Sequence, residues 1–116
     1  MRRCIVVVLA LLVVLSSLTS VFAAMDEVNQ YSNLYFSGKT AYIDAYVSET
    51  GSSCSITAKL YRGSLLITTW SDSGAGSASV SGHVLDCTPG QTYTLHVEGT
   101  VNGSPVSFTD VIKNCP

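Results

Sequence analysis

The chain has little charge, and little of that charge is basic. Lys and Arg number 6 against 8 Asp and Glu, and two of the six are Arg2 and Arg3 at the very start. A chain without a basic surplus lacks the electrostatic footprint for nucleic acid or for an anionic membrane surface. Histidine is scarce as well. His83 and His96 are the whole supply, and no second His or Cys stands near either at metal-ligand spacing. Both are expected as exposed strand residues. No G-x-S-x-G elbow occurs, so nothing marks a hydrolase nucleophile. No catalytic residue, metal site or cofactor is therefore expected. Apolar residues at helical spacing with caps are missing too, which excludes a helical domain.

What is present begins with a leader. Arg2 and Arg3 precede an unbroken apolar run, Ile5–Leu15, then a Ser/Thr-rich flank, then Val21 and Ala23. That order is a secretory signal peptide over residues 1–24, cut after Ala23 or Ala24. The apolar run is short for a membrane span. No stable membrane insertion is expected after cleavage, and Cys4 leaves with the leader. Export places the domain outside the cell. The mature chain keeps Lys39, Lys59, Arg62 and Lys113 against all eight acidic residues, a net charge of −4 with His neutral.

Residues 25–33 are polar and without periodicity, and they read as a short flexible arm. The domain is then residues 34–116. Asn33–Gly38 reads as a short edge strand. Thr40–Ser48 alternates strictly, with Ala41, Ile43, Ala45 and Val47 on one face. Glu49–Ser53 reads as a turn. Cys54, Ile56, Ala58 and Leu60 alternate again, and Leu65–Trp70 is rich in β-branched residues. Ser71–Ser77, the run SDSGAGS, reads as a flexible loop before a weak strand over Ala78–Leu85. Thr88–Val97 (TPGQTYTLHV) is a Pro-Gly turn running into a strand whose Tyr93, Leu95 and Val97 point inward. Asn102-Gly103 signals a tight hairpin turn, because both residues tolerate positive φ. The last strand is expected over Val106–Lys113. Six or seven short antiparallel strands suggest a β-sandwich.

Three cysteines remain after cleavage: Cys54, Cys87 and Cys115. An oxidising compartment favours pairing. Strand direction selects the pair. Counting strands up and down puts Cys87 and Cys115 at one end and Cys54 a strand length away, on the order of 20 Å. A disulfide needs Cα atoms within about 7 Å. Cys87–Cys115 is the expected bond. Cys54 is left as either a buried small apolar residue or a link to a second chain, which leaves open a dimer through Cys54.

One outward face stands out. Tyr42 and Tyr46 flank Asp44 on it, and Tyr61 is expected on the same side of a neighbouring strand. Aromatic strips with carboxylates bind sugars or peptides, so Tyr42, Asp44, Tyr46 and Tyr61 form the candidate ligand face. Tyr is also favoured on exposed strands for its own sake. Asn102-Gly103-Ser104 matches a glycosylation sequon, but Pro105 follows, and the turn alone explains Asn-Gly.

Cys87-Thr88-Pro89-Gly90-Gln91-Thr92-Tyr93-Thr94-Leu95-His96-Val97 resembles the corner and following strand of a fibronectin type III domain, an immunoglobulin-like β-sandwich. The resemblance implies a tyrosine corner, with the Tyr93 hydroxyl bonded back to the backbone a few residues upstream. Cys87 stands where that family usually has Leu. The family's early-strand Trp is absent, and Trp70 comes in a later strand. The likeness covers roughly a third of the mature chain and is nearly silent on function, because such sandwiches host many functions. The whole chain also resembles small secreted proteins of Gram-positive gut bacteria, to which no activity attaches. The expected function is a secreted, non-catalytic binding or cell-surface interaction module for an extracellular protein or glycan. The alternative is a secreted effector, such as a bacteriocin-like or inhibitor protein.

Overall fold

The structure is a computed structural model and describes residues 28–116. The expected signal peptide lies outside the described residues, as do residues 25–27 of the expected arm. Six antiparallel strands form one curled sheet: β1 (Asn29–Ser37), β2 (Thr40–Arg62), β3 (Leu65–Val84), β4 (Thr92–Val101), β5 (Ser104–Val106) and β6 (Val111–Asn114). No helix occurs among the described residues, so none there is long and apolar enough to cross a membrane.

The curl comes from β2 and β3, which are long and bent together. The first half of β2 pairs with β1 on one side and with the second half of β3 on the other. Its second half pairs with the first half of β3 and with β4. Between the halves the register shifts. Ser48 opposes Ser77 and Ser53 opposes Ala75, so β2 carries several extra residues against Gly76 alone. Such a bulge bends the ribbon. Gly51 and Gly76 take positive φ at the bend, 83° and 85°. Gly74 meets a second demand there, since a Cβ would stand 2.7 Å from the Ser77 carbonyl oxygen. Gly and Ser are what a strand needs where it turns this sharply.

The bend lets both halves bury their apolar sides in one core. Ala41, Ile43, Ala45 and Val47 come from the first half of β2, and Cys54, Ile56, Ala58 and Leu60 from the second. Leu34, Leu95 and Val97 join them. Each fully buried Leu or Ile contributes about 1.5–3 kcal/mol of transfer free energy. Two aromatic contacts cross between the halves. Phe36 of β1 meets Tyr93 of β4 edge-on, with ring centroids 5.6 Å apart. The Trp70 indole lies over Gly82 so closely that a Cβ there would stand 2.3 Å from its Nε1. Gly82 is therefore the inward position that makes room for the tryptophan.

Four expectations about elements need correction. Glu49–Ser53 is a bulge within one strand and not a turn between two. Ser71–Ser77 is strand throughout, because its backbone pairs with Ser48–Thr57 even though its side chains carry no apolar pattern. β1 begins at Asn29, inside the expected arm, with Asn29 opposite Ser48. The last strand is interrupted: β5 and β6 both pair with β4, and residues 107–110 lie between them.

Side chains then lock the bend and the turns. Asn102 and Gly103 have φ of 51° and 82°, the two positive angles of a tight hairpin. Asn102 also reaches the bulge. Its Oδ1 accepts from the Ser53 N–H at 2.9 Å, its backbone N–H donates to the Ser53 carbonyl at 2.7 Å, and its Nδ2 donates to the buried Ser52 hydroxyl at 3.2 Å. The Gln30 amide bonds the Ser107 carbonyl and ties β1 to the 107–110 stretch.

Candidate binding face

The two halves of the curled sheet present different outer faces. On the first half, register sets three cross-strand rows. Tyr35, Tyr42 and His83 make one row, Asn33, Asp44 and Ser81 the next, and Tyr31, Tyr46 and Ser79 the third. The rows are two residues apart along each strand, about 6.8 Å. Tyr35 and Tyr42 stack at 5.1 Å between centroids and 14° between planes. His83 continues that row at 6.0 Å from Tyr42. Tyr31 and Tyr46 meet at 5.2 Å, tilted by 53°. The Tyr31 hydroxyl donates to Asp44 Oδ2 at 3.0 Å. Burial, and after it that carboxylate, raises the Tyr31 pKa and keeps the phenol protonated. Beside Asp44 lies a shallow depression of about 280 Å³, lined by Tyr35, Tyr42, Asp44, Ser81 and His83.

Tyr42, Asp44 and Tyr46 thus share one face. Tyr61 does not lie on it. The bulge places Tyr61 in the other half of β2, opposite Leu66 and Thr94, so its outward row is Leu66, Tyr61, Thr94 and Ile112. The face instead gains Tyr31 and Tyr35, about 42% and 45% exposed, together with Asn33, Ser81 and His83. Tyr31 and Tyr35 stand at alternate positions of the sequence, but no apolar alternation marks the strand that holds them until Leu34.

On the second half the outward side chains bond to one another. Ser55 pairs with Thr100, Thr57 with Ser71 and Thr92 with Asn114. His96 sits between two carboxylates, with Nδ1 at 2.8 Å from Asp110 and Nε2 at 3.0 Å from Glu98. Those hydrogen bonds, Asp110's first and Glu98's second, raise the His96 pKa. The same bond, with Lys59 nearby, lowers that of Glu98. With a carboxylate on each ring nitrogen, His96 has no free nitrogen to activate a hydroxyl. Among the described residues no group of three His, Cys, Asp or Glu is arranged to hold a metal ion.

At the end of the molecule where β4 begins, Cys87 and Cys115 are bonded, with Cα atoms 6.0 Å apart across 28 residues of sequence. The pair strand direction selects is the pair present. Gly90 N–H donates to the Cys115 carbonyl, and Cys115 N–H to that of Gln91, both at 3.0 Å. The Thr88 N–H donates to the Tyr93 hydroxyl at 2.8 Å. Burial works to raise the Tyr93 pKa, and Thr88 and Arg62 outweigh it and lower it. Cys54 is free and only 3% exposed, within the core.

No protein-family model matches the chain, and no curated protein does. Among solved structures the chain is similar to the sensor domain of the anti-sigma factor RsgI4 of Pseudobacteroides cellulosolvens. The identity is 19% and the TM-score 0.43, over 74% of this chain and 88% of that one. A likeness at that level says nothing of ligand or partner.

Proposed function

We propose that the chain is a secreted, non-catalytic binding module on a fibronectin type III-like sandwich, and that it engages its partner through the tyrosine face of its first half. The observation that carries this is the three-row array: four tyrosines around one carboxylate, on an outer face whose strands already bury their other side in the core. Aromatic side chains left on a surface in this density supply contact area at low entropic cost.

The sandwich reading is supported by the pairing scheme. β1, the first half of β2 and the second half of β3 form one group, while the first half of β3, the second half of β2, β4 and the β5–β6 edge form the other. Secretion is supported by the leader sequence and by the disulfide, which suits an oxidising compartment. The non-catalytic reading is supported by His96, both of whose nitrogens are engaged by carboxylates.

Retention of extracellular glycans and surface proteins on the immobilised domain tests the reading. A Tyr35→Ala/Tyr42→Ala double variant should lose whatever the native domain retains, while Tyr61→Ala keeps it. Retention that survives the double variant and fails with Tyr61→Ala would move the site to the other half.

A further inference from the structure

We propose that the tyrosine face recognises a basic side chain, arginine above all, on a partner protein, with the Asp44 carboxylate as the group that receives it. The inference rests on the face being the binding site and adds the chemistry of what binds there.

Asp44 is the acidic residue of the face, and it has no cationic partner among the described residues. Among the described residues, the ion pairs within 4 Å are those of His96 on the other half. Among the described residues the one group that donates to Asp44 is the Tyr31 hydroxyl, which binds Oδ2 and not Oδ1. A carboxylate held at the centre of an aromatic array and given no counter-charge among the described residues is complementary to a cation from outside. The rest of the surroundings fit an amphipathic cation. Ring edges of Tyr35 and Tyr42 give an apolar wall for an aliphatic stem, and the depression beside Asp44 gives it space. Ser81 and the Asn33 amide, in Asp44's own row, offer oxygen acceptors for further N–H groups. A guanidinium has five donors in a planar fork and meets a carboxylate and flanking oxygens at once, whereas an ammonium is a compact, strongly hydrated point charge. The acidic balance of the mature chain, four basic residues against eight acidic, attracts a cationic partner at longer range.

Amide chemical-shift mapping by nitrogen-15 NMR on the mature domain provides the test. The probes are a blocked Gly-Ser peptide carrying one arginine, the same peptide with neutral citrulline in its place, and maltohexaose as an uncharged glycan. The arginine peptide should move the amides of Tyr35, Tyr42, Asp44, Ser81 and His83 saturably, and citrulline should not. Asp44→Asn, which keeps an acceptor for Tyr31, should weaken arginine binding about tenfold or more, the factor that corresponds to loss of one charge-assisted contact. Equal binding of citrulline, or equal binding by the Asn variant, would overturn the inference. So would the absence of any shift with the arginine peptide. Maltohexaose moving the tyrosine face while arginine does not would overturn the cation and leave the face as the site. Arginine-induced shifts confined to Glu98 and Asp110 would overturn both.

Discussion

The two halves of the curled sheet share one recipe inside and follow different ones outside. Inward, each half of β2 contributes a run of four alternating apolar residues to the same core. Outward, the second half closes its polar groups on themselves: Ser55 on Thr100, Thr57 on Ser71, His96 on Asp110 and Glu98. The first half leaves Tyr31 and Tyr35 exposed, Tyr42 and Tyr46 half-buried beside them, and Asp44 without a cation among the described residues. A face whose polar groups satisfy one another has few of them left to offer a ligand, and what this half exposes besides is aliphatic, Leu65, Leu66 and Ile112. A face with exposed rings and an unpaired charge retains capacity for contact, at some expense of intrinsic stability.

The largest loss is expected at the disulfide. Cys115 follows β6, the edge strand on the self-satisfied half, and its bond to Cys87 closes 28 residues of chain. Cys87→Ser or Cys115→Ser should each cost about 3–4 kcal/mol in urea unfolding, with the double variant costing no more than either alone. Unequal single losses would mean that one cysteine acts outside the bond.

A wedge between the halves is the next test. Gly82→Ala puts a methyl into the Trp70 indole, which must move out of the core, and the loss should be about 1–3 kcal/mol. Indole fluorescence should shift with it. An unperturbed indole would show that Trp70 does not bridge the halves. Tyr93→Phe sits slightly lower. It orphans the Thr88 N–H and should cost about 1–2 kcal/mol without touching the tyrosine face. A change near zero would mean that the corner bond is not formed in solution.

The His96 clamp sharpens the contrast by pH. Its folded pKa lies above the unfolded value of 6.5, so its contribution is fully present below that value and is lost as pH rises through the raised folded pKa. The effect is small because the ring is about 38% exposed. Stability should decline from about pH 6.5 upward in the native domain, and His96→Gln should flatten that slope. An unchanged slope would assign the pH dependence elsewhere.

Much of the interior was legible in the residues. Ala41–Val47, Cys54–Leu60 and Tyr93–Val97 alternate because a half-buried strand must, and strand parity alone selects the Cys87–Cys115 pair. Asn102-Gly103 announced its turn, though not its grip on the bulge at Ser52 and Ser53. The bend was not legible. A Gly- and Ser-rich stretch such as SDSGAGS carries no apolar pattern, and its strand character comes from a partner distant in sequence. The face was legible in part for the same reason. Tyr42, Asp44 and Tyr46 lie on one strand and show themselves by period two. Tyr31, Tyr35 and His83 join them only through register, and Tyr61, which satisfies the period, is carried to the other half by the bulge.

On the proposal above, the first half keeps Asp44 for a ligand and not for the fold. The most direct measurement is the unfolding free energy of Asp44→Thr. Thr favours an exposed strand position where Asp does not, so the variant should be more stable than the native domain by about 0.5–1 kcal/mol. A loss of about 1 kcal/mol or more would instead make the carboxylate and its bond to Tyr31 part of what holds the sheet together, and Asp44 a residue of the fold.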